Sequence, residues 1–362
     1  MTPTDERADR LAVLTGGLLD DLHAKTAHGV LRYGSREVVC VVDDVFAGRS
    51  LLEVAPFCDR DVPVVASVRA ARDLGATVLL VGVAPDGGRL TPAWRAALLE
   101  AAGLGLHLEA GLHTALADDA ELVAAGLSAG VQLRDLRLQP TGLDVPKGPQ
   151  FRPAAAVVHS VGTDCAIGKM SVTLELDREA RRQGLASVFV ATGQTGIAIT
   201  GWGIAVDHVI SDYTAGAAEQ LVHQGAGRGD LLWLEGQGSI YHPAYSGVTL
   251  GLLHGSSPDL LVLCHKVGDT AINGYPQSPL PSLPEAVRGY ETAVSWVRPA
   301  KVGAIGLNTS ELDDADARAA IAQAEAQTGL VADDVVRFGP ERVLTAVLAA
   351  LARSTSRTDV GA

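Results

Sequence analysis

Apolar residues in this chain come as short continuous runs, separated by polar, glycine-bearing turns and by stretches with a helical stripe. Near the start, Leu11, Leu14, Leu18, Leu19 and Leu22 fall on one such stripe, which predicts a helix from Ala8 to Lys25. Val38 to Val42 reads as a buried strand ending at Asp43-Asp44. Val62 to Ser67 reads as a strand, Val68 to Leu74 as a helix and Thr77 to Val83 as a strand closed by the turn Pro85-Asp86-Gly87-Gly88. A helix over Pro92 to Ala102 has its proline in the first turn, and Leu106 to Ala110, Asp118 to Leu127 and Val131 to Leu136 continue as strand, helix, strand. Residues Gln139 to Pro153 are rich in proline and glycine and read as a linker. Beyond it, strands are expected at Ala155 to Ser160, Ser187 to Ala191, His208 to Ser211, Leu231 to Leu234, Leu260 to Cys264, Val302 to Leu307 and Val335 to Phe338.

Strands alternating with helices imply βαβ units, and near-continuous apolar strands imply parallel sheets buried on both faces. The expected fold is therefore α/β in two domains. Residues 1–145 form a Rossmann-like parallel sheet that lacks a G-x-G-x-x-G, and residues 146–362 form a doubly wound sheet of the P-loop NTPase type. The 362-residue length and the 47% hydrophobic fraction suit two packed cores, and the aromatic share of only 4% makes them aliphatic.

Charge narrows the partners. Acidic residues outnumber basic ones 42 to 29, which disfavours nucleic acid and anionic membrane surfaces but leaves room for an anionic small ligand in a local pocket. The four cysteines, Cys40, Cys58, Cys165 and Cys264, follow no metal-binding or disulfide spacing, so reduced thiols and a cytoplasmic setting are expected. Met1 to Arg10 lacks the features of a signal peptide, the tail from Ser354 is polar, and no apolar run approaches the ~18 residues of a membrane span. A symmetric homo-oligomer is the expected assembly.

The chemistry centres on Val157-Val158-His159-Ser160-Val161-Gly162-Thr163-Asp164-Cys165-Ala166-Ile167-Gly168-Lys169-Met170-Ser171. An apolar strand, a small-residue loop closing on Gly-Lys and an amphipathic run make a phosphate loop at a helix N-terminus. Two departures mark it: five residues rather than four separate Gly162 from Gly168, and Met170 stands where a hydroxyl residue is usual. Other polar sets follow expected strands: Thr192-Gly193-Gln194-Thr195-Gly196, Asp212-Tyr213, Glu235-Gly236-Gln237-Gly238-Ser239, His265-Lys266 and Asn308-Thr309-Ser310. Glu235 fits either a Mg²⁺-holding acid, with Asp164, or a capping carboxylate. Asn308 fits either recognition of a purine edge or an Asx turn, and His265 either a general base or a structural histidine. In the first domain, Asp43, Asp44 and Arg49 are candidates to face a cleft between domains, and His107 and His113 are weaker ones.

The loop Gly162 to Lys169 resembles that of dethiobiotin synthetase, also one residue longer than usual, and Glu235-Gly236-Gln237-Gly238 resembles that family's second acidic motif. The whole chain resembles a two-domain family that includes D-glutamate N-acetyltransferase. The resemblance rests on Gly82 to Gly88, Gly111-Leu112-His113, Gly162 to Met170, Ala191 to Ile197, Gly201-Trp202-Gly203, Glu235 to Gly238 and Leu307-Asn308-Thr309. It implies a Rossmann-like domain followed by a dethiobiotin-synthetase-like one. It also implies acetyl transfer from acetyl-CoA to an acidic amino acid, D-glutamate first, with Gly162 to Ser171 and Asn308 holding the cofactor. His265 or Asp212 would then be the base, with Glu235 a further catalytic candidate. Backbone N–H groups near Gly196 or Gly238 would hold the oxyanion, and Arg49, Gln194, Thr195, Lys266 and Arg288 would bind substrate. Where the family has a basic, proline-containing turn after the histidine, this chain has His265-Lys266-Val267-Gly268-Asp269, so Lys266 or Arg288 would replace an arginine there. The alternative is an ATP- and Mg²⁺-dependent ligase or kinase, with Ser171 or Thr163 supplying the hydroxyl that Met170 lacks. A nucleotide sensor and a nicotinamide-dependent epimerase are weaker readings.

Overall fold

Leu11-Ala12-Val13-Leu14 is a strand, and this overturns the helix expected over Ala8 to Lys25. In the computed structural model, which describes residues 9–83, 88 and 90–358, β1 (Arg10–Leu14) pairs in parallel with strands on both sides. All four of those residues are buried. A helix there would have exposed part of a run that is apolar at every position, whereas a central strand buries both faces. The leucine spacing mimicked a helical stripe only because Thr15-Gly16-Gly17 turns the chain and returns Leu19 to the core.

The first sheet continues with β2 (Glu37–Val42), β3 (Val64–Val65), β4 (Val78–Val81), β5 (His107–Ala110) and β6 (Leu133–Asp135), in the order β3-β2-β1-β4-β5-β6 and parallel throughout. This is the Rossmann strand order. At the end of β2, where a dinucleotide fold offers a carboxylate to ribose, Asp43 is already committed. Its Oδ2 accepts Thr15 Oγ1–H at 2.6 Å and Gly17 N–H at 2.9 Å, and its Oδ1 accepts the N–H groups of Val45 and Phe46. Four bonds fill the carboxylate, so its work is to shape the turn.

The strands of the second sheet are β7 (Ala156–Gly162), β8 (Ser187–Val190), β9 (Leu231–Leu234), β10 (Leu260–Lys266), β13 (Lys301–Asn308) and β14 (Ala332–Asp333), while β11 (Ala271–Ile272) and β12 (Tyr275–Pro279) form a separate antiparallel hairpin. The sheet runs β14-β13-β10-β7-β9-β8, again parallel. Two expected strands are corrected. His208 to Ser211 lies across two short 3₁₀ turns, Val206–His208 and Ser211–Tyr213, because Ile210 is largely exposed and offers no buried face. Val335 to Phe338 is a turn shaped by Asp334, whose side chain takes the N–H groups of Val336 and Arg337; the strand lies just before it, at β14.

The chain divides into two units, residues 1–139 with 193–205 and residues 140–192 with 206–362. Segment 193–205 carries the helix Gln194–Thr200, which packs on the helix Lys25–Tyr33 with Thr26 and Thr195 hydroxyls 3.0 Å apart. No helix among the described residues is long and apolar enough to cross a membrane. The Pro85-Asp86-Gly87 part of the expected turn, Met1 to Ala8 and the last four residues lie outside the described residues.

One buried group makes the second unit sensitive to acid. His159, at the centre of β7, has its pKa pushed down to about 3, first by burial and then by the Lys169 charge. The unfolded imidazole takes a proton below about 6.5 and the folded one resists until about 3, so this contribution is intact above the upper value and is lost as pH falls. Stability is expected to drop by about 2 kcal/mol between neutrality and pH 5 through this group alone. Urea unfolding of His159→Gln should show a flatter profile across that interval; an equally steep profile would place the sensitivity elsewhere.

Candidate functional site

Every βα turn that follows the central strands of the second sheet contributes to one cluster, built around the end of β7. Val157, Val158 and Val161 are buried on both faces, and the strand delivers its loop at the carboxyl edge, where open α/β sheets bind ligands. Ala166 has φ of 54° and Gly168 of 106°. A left-handed alanine costs about 1 kcal/mol, strain of the kind held at functional loops. The helix Lys169–Arg182 starts with no side-chain cap, and its first intrahelical bond is Val172 N–H to Gly168 O at 2.9 Å. The N–H groups of Lys169, Met170 and Ser171 therefore have no acceptor in their own helix.

Lys169 is 6% exposed, and its Nζ donates to the carbonyl of Asp164 at 2.6 Å. Burial lowers its pKa, opposed by the electrostatic influence of Cys165, Cys264, Asp164 and Glu235. An ammonium so poorly solvated gains strongly from an incoming anion. The glycines give room at two places. A Cβ on Gly162 would sit 3.3 Å from Lys169 Nζ, and one on Gly236 would sit 1.8 Å from the carbonyl oxygen of Ser160.

Both acids are held by backbone. Asp164 Oδ1 accepts the N–H of Cys165 at 2.7 Å and Oδ2 that of Asn273 at 2.6 Å. Glu235 Oε2 accepts the N–H of Thr192 at 3.0 Å, while its carbonyl takes the Thr192 hydroxyl. Asn308 closes an Asx turn through Ser310 N–H, and its Nδ2 donates to the loop carbonyl of Ile167 at 3.3 Å. The amide thus supports the loop directly.

β10 runs two residues further than expected, which places His265 opposite Leu307 and Lys266 opposite Asn308. His265 Nδ1 lies 2.9 Å from Thr163 Oγ1, and burial lowers its pKa, opposed by Asp269. The imidazole stays neutral at physiological pH and touches the loop. Cys165 has its thiol pushed up to about 11 by burial, so it is protonated at neutrality.

The other candidates have settings of their own. Lys266 is paired with Glu311 at 2.7 Å and with Asp269 at 3.6 Å. Arg288 is exposed on the helix Leu283–Ser295, and Asp212 is exposed in its 3₁₀ turn. Arg49 is exposed beside Glu53 in the first unit, where Gln194 is half-buried and Thr195 buried on their helix. His107 Nδ1 accepts the N–H of Gln132 next to β6.

Residues with no motif complete the cluster. Tyr290, fully buried on the helix Leu283–Ser295, donates its hydroxyl to Gly162 O at 2.6 Å and accepts the N–H of Ile240 at 3.2 Å, so one side chain ties the loop to the Glu235 turn. Ser239 Oγ adds a bond to Thr163 O, and Ser160 Oγ accepts the N–H of Gly236. An imidazole nitrogen of His242, a carboxylate oxygen of Asp164 and the sulfur of Cys165 lie within 4.8 Å of one another. Nothing local in the sequence marks His242.

Known proteins share this organisation. Residues 45–139 match the family model described as "Domain of unknown function (DUF1611_N) Rossmann-like domain", and residues 144–344 match "Domain of unknown function (DUF1611_C) P-loop domain". A D-glutamate N-acetyltransferase of Tritonibacter scottomollicae is 37% identical over 289 residues, 78% of this chain and 84% of that protein. Another, from a Pseudoalteromonas species, is 37% identical over 249 residues, 68% of this chain and 74% of its own length. The 2.30 Å crystal structure of a DUF1611 family protein from Anabaena variabilis is 42% identical, covers 94% of this chain and 99% of that one, and aligns with a TM-score of 0.87.

Proposed function

This chain belongs to the DUF1611 family, a Rossmann-like domain joined to a P-loop domain, and on that premise we propose that it is an N-acetyltransferase. It moves an acetyl group from acetyl-CoA to the amine of an acidic amino acid, with D-glutamate the first candidate. The observation that carries this reading is the 37% identity, over most of both chains, to two relatives named D-glutamate N-acetyltransferase. The loop chemistry agrees with it. Buried Lys169 and the open N–H groups of Lys169 to Ser171 suit phosphate oxygens, whereas Met170 withholds the hydroxyl that usually joins Mg²⁺ beside a hydrolysed nucleotide.

When bound, acetyl-CoA supplies an activated thioester. Lys169 and the helix N-terminus hold its phosphates. His265, kept neutral by burial and set against Thr163, accepts the amine proton. Gly238, with φ of 64°, shapes the turn after Glu235, whose backbone N–H groups are candidate oxyanion donors.

A second reading keeps one observation in its favour. Asp164 and Glu235 are buried acids that both act on Lys169, the pattern of a Mg²⁺-nucleotide site. ATP-dependent ligase or kinase chemistry would use those carboxylates for the metal, with their present backbone partners shared or released. Ser171 would then supply the hydroxyl, since that of Thr163 is paired with His265.

The acceptor is tested by following free thiol from acetyl-CoA with D-glutamate, L-glutamate, D-aspartate and no amino acid. Release at least about tenfold faster with D-glutamate than with any other amine is the expected result. Preference for another amine would keep the reaction and reject the substrate.

A further inference from the structure

We propose that His242 donates its imidazole Nε2–H to an oxygen of the phosphate group held by the loop Gly162–Met170, supplying a donor that Met170 lacks. The inference rests on the phosphate reading of that loop and is independent of whether the phosphate belongs to coenzyme A or to a nucleotide.

His242 is 3% exposed. Its Nδ1 accepts the N–H of Ala244 at 3.1 Å, which places the ring proton on Nε2. Among the described residues Nε2 has no hydrogen-bond partner. The ring is nearly buried while its Nε2 edge stays reachable, so an incoming acceptor can complete it. The ring lies at the loop, with one nitrogen within 4.8 Å of Asp164 and Cys165. Neither neighbour is hydrogen-bonded to the ring among the described residues. Each Asp164 oxygen takes one backbone N–H group and keeps a further acceptor site, and burial keeps the Cys165 sulfur protonated.

The ring is also held in place. His242 N–H donates to Ser239 O, and Ser239 Oγ donates to Thr163 O in the loop itself. Tyr245 lies against the ring at 4.5 Å, tilted by 32°, and Tyr275 of β12 meets it edge-on at 5.2 Å. Asn273, three residues into the same hairpin from Ala271 by inclusive count, holds Asp164. A donor fixed on four sides loses little entropy when an oxyanion arrives. The phosphate loop therefore takes an imidazole N–H where a hydroxyl-bearing loop would use a side chain beside Mg²⁺.

Asp164, Cys165 and His242 also have the residue types of a divalent-cation site, and the experiment separates the two roles. Inorganic pyrophosphate is titrated into the full chain by calorimetry in the presence of EDTA, with wild type, His242→Phe and His242→Gln. Phenylalanine keeps the ring packing without a donor, and glutamine restores an N–H near the Nε2 position. Affinity is expected to fall about 10- to 100-fold in His242→Phe and to recover most of that loss in His242→Gln. Equal affinity in wild type and His242→Phe, both folded by circular dichroism, would overturn the proposal. So would Co²⁺ binding with a near-ultraviolet thiolate band that disappears in Cys165→Ser, because the trio would then be a metal site. Failure of wild type to bind pyrophosphate would sink the phosphate reading along with it. A His242-dependent pyrophosphate site in a protein without acetyl transfer would sink the proposed function and leave this inference standing.

Discussion

Lys169→Ala is expected to weaken coenzyme A binding by at least about 100-fold, while the protein remains as resistant to heat as the wild type. The lost interaction is a charge-assisted bond from a buried ammonium to phosphate, worth about 3 kcal/mol or more when one partner is truncated. The fold does not depend on it in the same way. The ammonium makes one bond, to Asp164 O, and its burial disfavours the charged form. Removing it relieves a desolvated charge and offsets the lost bond. The same lowered pKa gives the wild type a pH signature: affinity falls as pH rises, and the fall begins below the ordinary lysine value of 10.5. Calorimetry with coenzyme A, paired with thermal unfolding, checks both. Unchanged affinity in the variant would remove the loop from the cofactor site.

Gly236→Ala is expected to destabilise the protein by about 3 kcal/mol or more and to abolish ligand binding with it. The added Cβ would lie 1.8 Å from the carbonyl oxygen of Ser160 and 2.9 Å from its carbon, both backbone atoms of β7 that a rotamer change does not move. The strand or the Glu235 turn must shift, and either shift strains the bonds from Gly236 N–H to Ser160 Oγ and from Thr192 N–H to Glu235. Gly247→Ala is the control. Its Cβ meets nothing within 4 Å in the helix Ser246–Ser256, so alanine there should be neutral or stabilising by up to about 1 kcal/mol. Urea unfolding of the two variants tests the contrast; two equal stabilities would show that the close approach at Gly236 is not required.

The loop was legible in the sequence because strand, loop and helix are contiguous, and each carries its own local signal. β7 opens on the apolar run Ala156-Val157-Val158, the left-handed turn needs Gly168, and the lysine opens the helix. The parallel sheets were legible for the same reason. β1 was not, because five leucines straddling a turn imitated a helical stripe, and only pairing with β2 and β4 reveals a strand. His242 and Tyr290 escaped because nothing local marks them. Both reach the loop through the fold, from segments 78 and 128 residues along the chain from Asp164 and Gly162. The placement of the helix Gln194–Thr200 with the first unit also has no local signal, since Gly29, which receives Ile199 and Thr195 side chains, reads as an ordinary helical glycine. Long charged side chains were the least readable. Lys266 looked available beside His265, but its partner Glu311 comes from a later turn.

The central claim is that the phosphate loop of this chain serves acetyl transfer rather than nucleotide hydrolysis. The most direct measurement incubates the protein and D-glutamate with acetyl-CoA or with Mg-ATP and follows free thiol and ADP side by side, with the product identified by mass. The account predicts thiol release that requires the amino acid, an N-acetylated product, no ADP, and loss of turnover in Lys169→Ala. ADP formation without thiol release would contradict it and would give the loop to a nucleotide.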